Sequence, residues 1–217
     1  MVIMTSNHMH SLFNREQELW DQGYNHVLGL DEVGIGSAVG SIMVAGVIWS
    51  TNMNSSELPK KLTDSKKLTP KQRNILYDQI YENAAAVLTW EGHQQQIEDT
   101  NVLLTQLHCM KQIIENISPV PDYVLVDGLH APTTSINIET MVKGDSKSAS
   151  IAAASIVAKV TRDRQMVDLE QNYPELAPYQ IGKNKGYLSA EHRKALDEHG
   201  RSAFHRKTYK YKWQQTM

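Results

Sequence analysis

His26-Val27-Leu28-Gly29-Leu30-Asp31-Glu32-Val33 reads as a β-strand with two acids where a strand should be apolar. Successive residues of a strand point to opposite faces. At least one carboxylate of the Asp31-Glu32 pair therefore turns toward a packed layer, unless the strand end twists or frays. An unpaired buried carboxylate is costly, so a positive group is required to meet it. The competing reading is an ordinary surface pair at a strand end.

Outward from this strand, Gly34-Ile35-Gly36-Ser37 forms a glycine-rich turn and the apolar run 41–49 reads as a neighbouring strand. On the other side, 15–22 is a short helix closed by Gly23, and residues 1–14, polar and rich in Met, are expected to fray. Thr69-Pro70 places a hydroxyl cap and a first-turn proline at the start of a helix over 70–82. Strands follow at 86–90, 122–127 and 138–142, with helices at 99–117, 148–170 and 189–198, the last stopped by Gly200. A strand hairpin followed by alternating helices and strands predicts an α/β fold with a mixed sheet.

Composition excludes several classes. The 217 residues are 41% hydrophobic and 21% charged, which suits one globular domain with at most a small appendage. A formal net charge of -2 argues against nucleic-acid binding by the whole surface but leaves room for a local basic groove. Such a groove has a source in 201–212, where Arg201, Arg206, Lys207, Lys210 and Lys212 interleave with aromatic residues and no acid; the alternative is a solvated tail. The single cysteine, Cys109, excludes an intrachain disulfide and a cysteine-based zinc cluster, and its apolar helical neighbours make it a buried small hydrophobe. No apolar run is long enough to span a membrane and the start lacks a signal-peptide pattern, so the chain reads as cytoplasmic.

Two further acids stand at structurally loaded positions. Asp127 ends the strand Tyr123-Val124-Leu125-Val126, and the carboxyl ends of strands are where α/β sheets collect ligands, although a turn residue is an equal reading. Asp145 precedes the Ala-rich helix, where it is either part of a site or a helix-capping acid. Carboxylates without a His or Cys cluster suit Mg²⁺ or Mn²⁺ rather than zinc. Two such ions roughly 4 Å apart serve phosphodiester hydrolysis.

The colinear set Gly29-Leu30-Asp31-Glu32-Val33-Gly34, Asp64-Ser65-Lys66-Lys67-Leu68, Tyr123-Val124-Leu125-Val126-Asp127-Gly128, Val142-Lys143-Gly144-Asp145-Ser146, 152–163, Asn184-Lys185-Gly186-Tyr187, His199-Gly200 and Phe204-His205-Arg206 resembles bacterial ribonuclease HII. The resemblance implies a ribonuclease H-like fold: a mixed five-stranded sheet flanked by helices, with a C-terminal helical extension. The corresponding divisions are an N-terminal segment over 1–25, a catalytic core over 26–170 and an extension with a basic tail over 171–217.

It further implies a monomeric endonuclease that cuts the RNA strand of RNA–DNA hybrids and DNA containing ribonucleotides, leaving a 3′-hydroxyl and a 5′-phosphate. The family's four active-site acids match Asp31, Glu32, Asp127 and Asp145. The first three would be the principal ligands of Mg²⁺ or Mn²⁺, and Asp145 would complete the second metal position. Gly34, Ile35 and Gly36 would approach the 2′-hydroxyl, Ser65 and Lys66 the DNA backbone, and Tyr187 a deoxyribose at the RNA–DNA junction, where a plain core tyrosine is the alternative.

One departure stands out: the family pattern has Gly-Arg-Gly where this chain has Gly34-Ile35-Gly36, and Ser37 and Ser41 stand at its prolines. Loss of a charge-assisted phosphate contact costs about 1.5–3 kcal/mol, so incision at single embedded ribonucleotides is expected to weaken while hybrid cleavage survives. The other classes are a non-catalytic nucleic-acid-binding paralogue and a DNA nuclease of the same fold.

Overall fold

A computed structural model of the chain describes residues 12–51, 53, 58–60, 62, 63 and 65–210. Five strands, β1 (Val27–Val33), β2 (Ile42–Ile48), β3 (Ala86–Gly92), β4 (Tyr123–Asp127) and β5 (Asn137–Met141), form one sheet in the order β3-β2-β1-β4-β5. β1 pairs antiparallel with β2 and parallel with β4, β2–β3 is antiparallel and β4–β5 parallel, so the sheet is mixed as expected.

The helices are α1 (Asn14–Asp21), α2 (Pro70–Asn83), α3 (Gln94–Asp99), α4 (Val102–Asn116), α5 (Ala149–Asn172), the single turn α6 (Ile181–Asn184) and α7 (Ala190–His199). Thr69 caps α2 in a reciprocal box with Gln72, and Ser148 caps α5 by accepting from the Ile151 N–H at 3.1 Å.

Two layers sandwich β1. Leu28 and Leu30 pack with Met110 and Ile113 of α4, while α5 crosses the other face together with Met43, Ala45 and Val47 of β2 and Leu76 and Ile80 of α2. Each of the buried Leu, Ile, Val and Met side chains among these contributes roughly 1.5–3 kcal/mol. The crossing is close at Gly29: a Cβ there would lie 2.3 Å from the Ser150 carbonyl carbon. Residues after α5 build a smaller core of Leu176, Tyr179, Ile181, Ala195 and Leu196 that seats on Val39.

Three expectations are corrected. The helix expected over 99–117 begins only at Val102, because the Asn101 backbone is extended and its side chain accepts from the Leu104 N–H at 2.9 Å, and the short helix α3 ahead of it was not expected. Leu12 and Phe13 do not fray but are buried, Phe13 meeting Trp20 edge-to-face; residues 1–11 lie outside the described residues. The cap of α5 is Ser148, whereas Asp145 sits in a separate 3-10 turn, Gly144–Ser146. Cys109 is buried in the sheet-facing side of α4, as read from the sequence.

Candidate active site

Alternation along β1 sends its two acids into different layers. Asp31, only 6% exposed, faces α5, where the Ser155 hydroxyl hydrogen-bonds its carboxylate; its Oδ1 also accepts from the Glu32 N–H at 2.7 Å. Glu32 faces α4 and accepts from Gln106 Nε2 at 2.9 Å. Asp127 arrives from the parallel neighbour β4, whose pairing with β1 sets both strand ends on one edge of the sheet. Its Oδ1 accepts from the Gly144 N–H at 2.6 Å, which ties it to the turn that carries half-buried Asp145.

The charges of these acids act on one another. Burial, then the charges of Glu32 and Asp127, hold the Asp31 carboxyl well above the usual range. Burial, then Asp127, pushes Glu32 up to about 7, with Lys66 and Gln106 opposing. Lys66 opposes part of this charge, and the all-oxygen donors fit a hard divalent ion. Among the described residues no three His, Cys, Asp or Glu side chains form a closed coordination set. Asp31, Glu32 and Asp127 each accept from a protein donor instead: the Ser155 hydroxyl, Gln106 and the Gly144 N–H.

The glycine-rich turn borders this cluster. Gly34 has φ +99°, and a Cβ on it would lie 2.3 Å from Arg162 Nε, so only glycine fits. Tyr187 stands beside Gly36, close enough that a Cβ there would meet its ring at 3.9 Å. The Lys159 ammonium and Arg162 guanidinium lie 6.0 and 5.8 Å from the same ring centroid. Tyr187 is half-buried at the rim of the site, not in a core.

Ser65 is buried, and its hydroxyl hydrogen-bonds Ser155 at 2.9 Å, so it reaches Asp31 through one intermediary. Lys66 is exposed in the turn Ser65–Lys67, which Arg73 pins through the Ser65 and Leu68 carbonyls at 2.9 and 2.7 Å. Asp64 lies outside the described residues.

Sequence reading missed Ser155, Gln106, Arg162 and Arg206 as parts of this site. The two arginines are buried without a carboxylate partner among the described residues, and both donate to the Ser41 carbonyl, at 2.9 and 3.0 Å. Arg206 also holds the Gly40 and Ile35 carbonyls at 2.7 and 3.1 Å. Burial, then the charge of Arg162, pushes Arg206 down to about 10. Thus the 201–210 segment is not simply a solvated tail: Arg201 bonds the Lys207 and Tyr209 carbonyls, and Lys207 pairs with Glu98 while staying exposed. Signals were present in polar breaks such as Ser155 within an Ala-rich helix, but their partners are distant in sequence.

The model of the family described as Ribonuclease HII matches residues 28–216. The chain belongs to the ribonuclease HII family. With that membership comes the enzyme class, a ribonuclease H hydrolase. A family member from Geotalea uraniireducens, named Ribonuclease HII, is 42% identical over 200 residues, 92% of this chain and 89% of the relative. In fold, the chain is similar to the structure of the PCNA:RNase HII complex from Archaeoglobus fulgidus, with a TM-score of 0.70, 22% identity, and 88% and 98% of the two chains covered. It is also similar to Bst-RNase HIII, solved in complex with Mn²⁺, with a TM-score of 0.65, 18% identity, and 91% and 65% covered. Among the described residues no helix is long and apolar enough to cross a membrane.

Proposed function

We propose that this chain is an endonuclease that hydrolyses the RNA strand of RNA–DNA hybrids, leaves a 3′-hydroxyl and a 5′-phosphate, and removes ribonucleotides from DNA. The observation that carries the reading is the set of Asp31, Glu32 and Asp127 on adjacent strand ends, with Gly36 and Tyr187 at its border. Asp31, Glu32 and Asp127 would hold Mg²⁺ or Mn²⁺, and Asp145 would complete a second position. When bound, such ions activate water and stabilise the leaving oxygen.

The protein's own groups supply the rest. Ser155 and Gln106 fix the directions of Asp31 and Glu32. Gly34 and Gly36 let the backbone come close to a 2′-hydroxyl, Tyr187 offers its ring to a sugar, and Lys66 is a point charge for the DNA strand. Ser65 has its hydroxyl spent on Ser155 and its carbonyl held by Arg73, so its backbone N–H is the group it would offer that strand. The extension over 171–217 adds to substrate binding around the core over 26–170, and the protein works as a cytoplasmic monomer.

Ile35 has no charge for a phosphate. Incision at a single embedded ribonucleotide is therefore weakened by roughly 10- to 150-fold relative to an arginine at this position. The test compares cleavage of a long hybrid with that of a duplex containing one ribonucleotide, with Mg²⁺ and Mn²⁺ in parallel. Metal-dependent cutting lost in Asp127→Asn, and a single-ribonucleotide rate raised in Ile35→Arg, are expected. Binding without cutting under either metal would make the chain a non-catalytic nucleic-acid-binding paralogue, and equal family-like rates on both substrates would remove the role of Ile35.

A further inference from the structure

Two buried histidines outside the carboxylate cluster form a hydrogen-bonded chain whose direction is fixed at both ends. His205 Nδ1 receives the Ser202 backbone N–H at 3.0 Å, so that nitrogen is an acceptor. The Ser202 hydroxyl lies 2.8 Å from the same nitrogen. A neutral His205 therefore carries its proton on Nε2. At the other end, His192 Nδ1 lies 2.9 Å from the Tyr187 carbonyl oxygen, which can only accept. His192 thus carries its proton on Nδ1 and offers a bare Nε2. The two Nε2 atoms are 3.0 Å apart, and the assigned tautomers give one donor and one acceptor across that gap.

Both rings are nearly inaccessible, at 0% and 3% exposure, and Tyr179 packs edge-on against each. Burial also lowers both imidazoles below their ordinary range, which favours the neutral forms the chain needs.

The chain joins two parts of the substrate border. Through His192 it holds the Tyr187 backbone. Through the residue after His205 it reaches the glycine-rich turn, since Arg206 donates to the Ile35 carbonyl and its N–H to the Ala38 carbonyl at 2.8 Å. A bridge between Val39 and His205 closes the connection.

We infer that the His205→His192→Tyr187 chain is a positioning unit that sets where the Tyr187 ring meets the substrate, rather than a local packing detail. The inference rests on the proposed role of Tyr187 at an RNA–DNA junction. Neither histidine touches the reacting atoms.

Long-range ¹H–¹⁵N spectra of labelled protein at neutral pH are expected to report His192 as the Nδ1–H tautomer and His205 as the Nε2–H tautomer. The opposite pair, or a cation at either ring, overturns the inference, and this measurement needs no variant. In kinetics, His205→Phe removes the donor, whereas His205→Gln keeps an N–H near the position of Nε2. The junction-to-hybrid ratio of kcat/KM is expected to fall roughly fivefold in His205→Phe, mainly through KM, and to stay within about twofold in His205→Gln.

His205→Phe should lower the ratio no further in a Tyr187→Ala background. Equal falls in both backgrounds, or His205→Gln falling as far as His205→Phe, overturn the inference. Wild-type protein that cuts neither substrate removes the activity proposed above together with this role. Wild-type protein that cuts both, with an unmoved ratio in the variants, removes only this role.

Discussion

Replacing Glu32 by glutamine should stabilise the metal-free protein while removing an acid of the site. Burial and the neighbouring Asp127 raise Glu32 from 4.5 to about 7. The folded protein then binds the Glu32 proton more tightly than the unfolded chain does. The contribution of Glu32 to metal-free stability is therefore complete below pH 4.5, is lost as the pH rises to about 7, and is level above that. The interval corresponds to roughly 3 kcal/mol at most.

The introduced amide cannot ionise, and its oxygen can still accept from Gln106. At pH 8 the Glu32→Gln variant should melt above wild type by roughly 6–12 °C in the presence of a chelator, using about 2–4 °C per kcal/mol for a chain of this size. At pH 4 the two should coincide. Saturating Mg²⁺ should narrow the gap, because wild type gains the ion's binding energy and the variant gains less. A variant that melts below wild type at pH 8, or a gap that does not grow with pH, would refute the electrostatic reasoning.

Gly29→Ala should cost about 3 kcal/mol or more in denaturant unfolding, because its Cβ would enter the α5 backbone at Ser150 and Ile151; a loss under about 1 kcal/mol would mean that α5 shifts freely over the sheet. His205, pushed down to about 4 by burial and then by His192, contributes stability that is complete above pH 6.5 and is lost as the pH falls toward 4. Wild type should lose up to roughly 3 kcal/mol relative to His205→Gln across that window, and parallel pH profiles of the two would count against a buried neutral pair.

The sheet was legible because its strands are apolar runs of the right length, and β1 carried the site with it. Asp31 and Glu32 announced themselves by standing in a strand, and Asp127 by ending one. The break before α4 was hidden because 99–117 keeps helical spacing through Thr100 and Asn101; only the capping bond of Asn101 reveals it. The roles of Arg162, Arg206, His192 and His205 were hidden for a different reason. Their partners are mainly backbone groups and each other, and a backbone partner leaves no mark on residue type. Charge counting placed Arg206 in a basic tail, whereas burial makes it a brace beneath the loop.

That brace has a consequence for the order in which the site comes into being. Ribosomes deliver a chain from its N-terminus, so the turn at 34–41 emerges long before Arg206 does. Until Arg206 arrives, the carbonyls of Ile35, Ala38 and Gly40 lack the donors that fix them, and that of Ser41 has Arg162 alone. The acids of β1 and β4 can fold into place earlier, but the rim proposed to meet the substrate is finished last. A nascent or shortened chain would thus carry the proposed metal-holding acids without the completed rim, whose last brace comes from a segment far from those carboxylates in sequence.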